Sequence, residues 1–204
     1  MKTNSELRAE AREALHGNWS TSALFFFVYY LLVCVIVGLS GVTGLAGDAT
    51  VFTGNIIALI LICPLMYGLL TAFLKQLRGK EMQLGMLFSG FTQRIWGTMI
   101  LKYIYILLWA MLFIIPGIVK QYSYAMTEYI LKDHPELSNN AAIERSMSMM
   151  RGHKLRLFFL QLSFIGWALL SVFTLGIALF WLMPYIYSAQ AAFYEDLKKK
   201  ALKA

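Results

Sequence analysis

Long apolar runs without charged residues are the feature that most limits how this chain can fold. The first run covers residues 21–39 and contains no Asp, Glu, Lys or Arg. A helix needs about 20 consecutive apolar residues to cross the roughly 30 Å hydrocarbon layer of a bilayer. Over the whole chain 59% of residues are hydrophobic and 14% are charged, whereas a soluble domain has about 25% charged residues. The sequence therefore predicts an integral membrane protein.

The apolar runs pair into hairpins. They cover residues 21–39, 56–74, 95–115, 118–131, 155–173 and 177–194. One kinked helix over 95–131 would be about 55 Å long, which is too long for a single crossing, and the pair Pro116 and Gly117 therefore predicts a turn. We expect an all-α, polytopic transmembrane helical bundle of about six spans in a single domain over residues 1–204. Its three hairpins are expected at 20–74, 95–131 and 155–194, with a basic tail at 195–204.

Basic residues lie on one side of this layout. Apart from Lys120, every Lys and Arg falls in the N-terminal segment, in 75–102, in 132–156 or in the tail. Cytoplasmic loops carry an excess of positive residues, so both termini are expected in the cytoplasm and Lys120 at the outer headgroups. The turns expected outside are those near Gly47, Pro116 and Gly176. The net charge of +7 is attributed to anionic membrane lipids as partners, not to nucleic acid.

A short pattern occurs twice in the chain. PLMYGLLTAFLKQL begins at Pro64 and PYIYSAQAAFYEDL at Pro184, with Pro, Tyr, Ala, Phe and Leu in register. Each copy places small residues four apart, Gly68 with Ala72 and Ser188 with Ala192. Small residues at this spacing let helices approach closely in lipid, so we predict helix-packing positions here, with Leu69 facing lipid. The alternative is a substrate path along the interface between the repeats.

Two polar segments have an apolar stripe at helical spacing. In residues 1–19 the stripe is formed by Leu7, Ala11, Leu15 and Trp19, and in residues 138–152 by Ile143, Met147 and Met150. Ser138 or Asn139 is a candidate helix cap of the second segment. Both segments are predicted to be interfacial helices lying on the membrane surface. The segment 79–96 is less periodic, and no conformation is predicted for it.

Residues with catalytic or metal-binding chemistry are sparse. The histidines, His16, His134 and His153, lack ligand spacing, and no nucleophile or paired-carboxylate motif is present. We therefore expect neither a cofactor nor an enzyme. Glu128 is the one acid well inside a predicted span, and such acids are functional candidates. The other interpretation is a solvated Glu128, or one paired with Lys132 four residues on.

A basic cluster precedes the fifth apolar run. It consists of Arg151, His153, Lys154 and Arg156. The cluster is expected at headgroup depth, where anionic lipids would collect. The alternative is that these charges only enforce topology.

Several sequence blocks, in order, resemble a known family. They are LFSGF, IIPGIVKQYSYAMTEYILKD, AIERSMSMMRGHK, LSFIGW, TLGI and the closing PY with FYEDL. Together they are similar to the bacterial integral membrane family catalogued as domain of unknown function 975, over nearly the whole chain. The resemblance implies a multi-pass protein of the bacterial cytoplasmic (inner) membrane and supplies no catalytic residues. Glu128 stands where the family pattern often has Pro.

Three functions from different classes fit these observations. A non-catalytic membrane module that binds lipid or a partner protein agrees with the interfacial segments and basic residues. A small-solute transporter or channel agrees with the repeat, but the sequence indicates neither broken helices nor a buried charge pair. A membrane enzyme acting on lipid lacks a visible acid–base pair or metal cluster. The first function is the prediction, and the sequence predicts no oligomeric state.

Overall fold

The computed structural model describes residues 2–42 and 48–201, and every regular element in these ranges is helical. The helices before the middle of the chain are α1 (Asn4–Leu15), α2 (Trp19–Val42), α3 (Asp48–Leu77), a 3-10 helix (Leu84–Phe91) and α4 (Gln93–Leu112). Those that follow are α5 (Ile114–Ser123), α6 (Thr127–Asp133), α7 (Asn139–Met149), α8 (Lys154–Leu162), α9 (Ile165–Phe173) and α10 (Leu179–Ala201). The turn expected near Gly47 lies outside the described residues.

Four helical segments in the described part of the chain are long and apolar enough to cross a bilayer. They are Trp19–Gly41, Thr53–Leu77, Ile95–Leu112 and Lys154–Phe173. The all-α class is confirmed for the described residues, and apolar helices of this length are typical of a membrane protein. Helix α5 has 10 residues and is only about 15 Å long. Six spans in three hairpins stay a prediction.

Helix α3 is the centre of the bundle. In its most apolar window 61% of the residues are buried, compared with 28%, 17% and 22% in the other three candidate spans. It packs against α2, α10 and the 3-10 helix. The other candidate spans expose apolar side chains such as Val35, Leu107 and Leu169, which is the surface that lipid is expected to cover.

The chain reverses direction at Phe113, not at Pro116 and Gly117 as expected. Phe113 is extended, with φ −158° and ψ 143°, and separates α4 from α5. Pro116 stands in the first turn of α5, where a missing backbone N–H costs little because those donors have no partner within the helix. Gly117 lies so close to α4 that an added Cβ would be 2.8 Å from the Cα of Ala110. The pair therefore tightens the hairpin instead of forming its turn.

The apolar stripe of α1 faces the protein instead of the membrane surface. Leu7, Ala11 and Leu15 are fully buried, and α1 packs mainly on α10 and also on α3. In the second segment, Ile143 and Met150 are buried as well. An apolar stripe predicts that a face is covered but not whether lipid or protein covers it. The predicted cap at Ser138 is confirmed, because its Oγ accepts a hydrogen bond from the amide of Ala141.

The 3-10 helix crosses α3 with almost no space between the two backbones. A Cβ on Gly68 would be 2.6 Å from the carbonyl carbon of Leu87, and a Cβ on Gly90 would be 2.7 Å from that of Pro64. Gly68 therefore packs against a segment whose conformation was not predicted. Leu69, predicted to face lipid, is fully buried in the core.

Near this crossing, a tryptophan donates the hydrogen bond that a proline cannot make. Pro64 lies inside α3 and cannot donate the usual bond to the carbonyl of Ile60. The indole Nε1–H of Trp96, at the start of α4, donates to that carbonyl at 3.1 Å. The free acceptor left by the proline is satisfied, and α4 is fastened to α3 at this level.

The two copies of the repeated pattern contact each other. The ring of Phe73 on α3 stacks on that of Tyr187 on α10, with 5.8 Å between the centroids. The small residues Ala72, Ser188 and Ala192 are all buried. Each copy therefore contributes a close-packed face to the interior of the bundle.

Candidate functional site

One end of the bundle gathers charged side chains from α6, α10 and the turn that follows α3, and we call it the charged end. The guanidinium of Arg78 donates two hydrogen bonds to Asp133, at 2.7 and 2.8 Å, and another to Glu195 at 2.7 Å. Lys198 and Tyr194 donate to the same Asp133 carboxylate at 2.6 and 2.9 Å. Burial alone would raise the pKa of Asp133, but these donors hold it well below its ordinary value.

A second network at the charged end ties the N-terminus to α8 and α10. Arg156 donates to Asp196 at 2.6 Å and also to the backbone carbonyl of Lys2. The backbone amide of Lys2 donates to Asp196 at 3.2 Å, and the Arg156 guanidinium lies 5.0 Å from the ring centroid of Phe193. Arg156, expected to bind lipid headgroups, is therefore engaged within the protein.

The other members of the predicted basic cluster lie in or beside the turn before α8. Arg151 is exposed, and His153 and Lys154 are half-buried. Nε2 of His153 is 3.3 Å from Nζ of Lys200, a neighbour that the sequence analysis did not include. Partial burial, with the charges of Lys200 and Arg156, lowers the pKa of His153 below its ordinary value, which favours the neutral ring.

A groove of about 860 Å³ lies between α1, α9 and α10. Its apolar wall includes three tryptophans, Trp19, Trp167 and Trp181, and its basic side is formed by Arg8 and Arg12, one helical turn apart on α1. Within the described ranges neither arginine has an ion-pair partner. Nε of Arg8 is buried and has no hydrogen-bond partner. The groove thus joins unpaired cationic groups to an apolar surface.

A buried ion pair connects α4 and α6. Glu128 is 2% exposed and Lys102 is 7% exposed, and Nζ of Lys102 donates to Oε1 of Glu128. The partner of Glu128 is therefore not Lys132, as one sequence interpretation had it. The absence of a buried charge pair, which counted against a transporter in the sequence, is contradicted by this contact.

Comparison with family models shows which family the chain belongs to. The model of the family described as "Protein of unknown function (DUF975)" matches residues 1–123 and 111–201. The chain belongs to this family. No curated protein matches the DUF975 chain, and no solved structure matches it. The family has no assigned activity, so the chemistry of this DUF975 protein has to be argued from its own residues.

The sequence of this DUF975 chain carried a signal for part of the site only. The apolar stripe of α1 leaves Arg8 and Arg12 off the covered face, but nothing in the local sequence places Trp167 and Trp181 beside them. Lys120, expected at the headgroups, lies with its Nζ 4.5 Å from the ring centroid of Trp109. In the described residues no group of three or more His, Cys, Asp or Glu side chains could hold a metal ion.

Proposed function

We propose that the protein is a non-catalytic membrane module that holds an anionic phospholipid in the groove between α1, α9 and α10. One observation carries the proposal: Arg8 and Arg12 have no carboxylate partner in the described residues, and they border an apolar groove lined by tryptophan. A phospholipid likewise combines an anionic head, which would face the arginines, with apolar chains, which would face the groove.

The two arginines suit a phosphate. They lie four residues apart, and residues at this spacing are neighbours on one helix face. Guanidinium groups bind phosphate oxygens through two parallel N–H bonds and are desolvated more easily than ammonium groups. The buried Nε–H of Arg8 lacks an acceptor, which costs free energy. A phosphate oxygen at this position would supply the missing acceptor.

The apolar wall suits an acyl chain. Trp167 and Trp181 are 60% and 49% exposed although they lie in a concave surface, so a ligand can cover them. Tryptophan is enriched where a membrane protein meets the headgroup region. The volume of about 860 Å³ falls within the roughly 300–1,000 Å³ of small-molecule sites, enough for a glycerophosphate head and the first part of its chains.

The charges around the groove support its placement at the cytoplasmic face of a bacterial membrane. Apart from Lys120, the Lys and Arg residues of the chain lie on one side of the predicted layout, and positive residues accumulate in cytoplasmic loops. Arg151 and Lys154 belong to the same side. In this proposal they attract anionic lipid to the surface, while Arg156 fastens α8 to α10.

The test is lipid retention by the double variant Arg8→Gln/Arg12→Gln. The full chain is purified in mild detergent, supplied with equal phosphatidylglycerol and phosphatidylethanolamine, and analysed by native mass spectrometry. Each arginine near an anionic surface is worth about 1 kcal/mol, so phosphatidylglycerol affinity should fall about 30-fold. Binding of phosphatidylethanolamine should change little.

A matched control removes two exposed cations elsewhere, Lys80→Gln/Arg145→Gln. This variant should retain phosphatidylglycerol like the parent. Equal losses in both double variants would show that only total charge matters, and the groove would then not be a site. Recovery of a protein in the groove in place of lipid, for example by crosslinking from Trp167→Cys, would also contradict the proposal.

A further inference from the structure

The buried Lys102–Glu128 pair opens onto a cavity that the lipid-binding function does not use. The cavity has a volume of about 520 Å³ and lies between α3, α4, α5, α6, α8 and α10. Its polar lining also includes Gln121, Tyr122, Gln161 and Gln190. Apolar side chains such as Leu70, Met183 and Ile186 form the rest of the wall. The cavity is partly open to the protein surface, and its volume falls within the roughly 300–1,000 Å³ of small-molecule sites.

The carboxylate of Glu128 is only half satisfied. Its Oε1 accepts a hydrogen bond from Lys102, whereas Oε2 is buried and has no partner within the described residues. Leaving a buried acceptor without a donor costs free energy, and the cost is larger for a charged group. Glu128 is 2% exposed, so bulk water does not relieve it. A hydrogen-bond donor on a ligand in the cavity would supply the partner that Oε2 lacks.

The charge balance of the pair selects the class of ligand. Lys102 and Glu128 together are neutral, so a ligand with a net charge would bring an uncompensated charge into a poorly solvated site. A ligand with one charge of each sign adds none. Its cationic group would lie at Oε2 of Glu128, and its anionic group would accept from the remaining N–H groups of Lys102.

We propose that this cavity binds a small zwitterionic solute, of the α-amino acid class, through Lys102 and Glu128. The ammonium group is bound at Glu128 and the carboxylate at Lys102. The amide groups of Gln121, Gln161 and Gln190 surround the solute and replace its water. Lys102 and Glu128 are separated by 26 residues, and the packing of both α4 and α6 against α3 and α7 brings them to one site.

The glutamine side chains have hydrogen-bonding capacity that the protein itself does not use. Tyr122 donates to Oε1 of Gln161 at 2.8 Å, which leaves the amide N–H groups of that side chain for a ligand. Within the described residues, 2–42 and 48–201, the side chains of Gln121 and Gln190 form no hydrogen bond. Each amide offers a donor and an acceptor, and both are needed by a solute that carries both charges.

The competing explanation is that the pair only fastens α4 to α6. A buried ion pair contributes little net stability compared with well-packed apolar side chains. Fastening also requires no cavity. The two explanations differ in a measurable way, because a fastener has no saturable response to an added solute.

The test uses thermal unfolding of the full chain in detergent with millimolar concentrations of each proteinogenic amino acid. Matched probes with one charge are ethylamine and acetate. The expected result is a saturable rise of the unfolding midpoint with at least one net-neutral amino acid and none with either single-charge probe. No rise with any amino acid would overturn the proposal, as would an equal rise with ethylamine or acetate.

Two variants connect the response to the site. Lys102→Met/Glu128→Gln removes both charges together, so neither is left buried alone, and it should weaken binding of the responding amino acid at least about tenfold. Gln190→Leu tests the cavity without touching the pair and should also weaken binding, whereas Gln83→Leu, at an exposed position outside the cavity, should not. Unchanged affinity in both cavity variants refutes the assignment, even if one of them unfolds more easily.

Discussion

Replacing Gly68 by alanine tests the crossing between α3 and the 3-10 helix. Two effects oppose each other. Alanine is favoured over glycine within a helix by about 1 kcal/mol. The added Cβ, however, would stand 2.6 Å from the carbonyl carbon of Leu87 and equally close to the carbonyl oxygen of Met86. Ordinary carbon contacts are about 3.5–4.0 Å, so the crossing must open by about 1 Å.

The steric effect should win because the atoms in the way belong to the backbone. A flexible side chain could rotate away, but here the whole 3-10 helix must move. Overpacking of this kind costs about 1–3 kcal/mol and occasionally more. The crossing also positions Gly90 against Pro64, so the same movement would loosen a second contact. Because two contacts are disturbed, the upper part of this range, about 2–3 kcal/mol, applies, and after the helix gain of about 1 kcal/mol we expect a net loss of about 1–2 kcal/mol for Gly68→Ala.

Gly38→Ala on α2 is the matched control, since nothing lies within 4 Å of a Cβ there. For a chain of this size, about 1 kcal/mol corresponds to roughly 2–4 °C in the unfolding midpoint. In detergent, Gly68→Ala should unfold several degrees below the parent and Gly38→Ala at or slightly above it. Gly68→Ala and Gly90→Ala should be non-additive because they open the same crossing. A Gly68→Ala midpoint equal to that of Gly38→Ala would refute the reasoning.

Three further predictions concern other parts of the molecule. Trp96→Phe should lower stability by about 1 kcal/mol by removing the donor for the carbonyl that Pro64 leaves free; in a Pro64→Ala background, thermal unfolding should show a smaller loss. Because folding lowers the pKa of Asp133, its ionised carboxylate stabilises the folded protein above the unfolded pKa of about 4. This stabilisation is lost as the pH falls below that value. The stability difference between parent and Asp133→Asn should therefore be constant above about pH 5 and shrink below about pH 4 in pH-dependent unfolding. With both native cysteines replaced, maleimide should label Leu175→Cys in intact cells and Glu136→Cys only after permeabilisation; labelling of Glu136→Cys in intact cells would contradict the predicted topology.

Patterns within one helix were predictable from the sequence, and contacts between helices were not. The apolar runs identified the long helices, and the Ser138 cap depends on a residue three positions away. The pairing of Lys102 with Glu128 depends on the rotation of two helices about their axes, which no local pattern records. Likewise, the stripe of α1 showed which face is covered, but its partner, α10, begins more than 160 residues later.

The burial of α1 on α10 has a consequence for the order in which the protein assembles. Ribosomes add about 5–20 residues per second, so roughly 10–40 s pass between the synthesis of α1 and that of the α10 residues that cover it. During that interval α3 covers only part of the stripe, and the bilayer is the nearest apolar phase for the part of Leu7 and Ala11 that α10 covers later. We therefore expect the membrane-surface position predicted from the stripe of α1 in the nascent chain, before α10 is made. When α10 arrives, it replaces lipid on the apolar stripe of α1 and completes the hydrogen-bond networks at the charged end. Truncation within α10 would therefore leave α1 without its final partner.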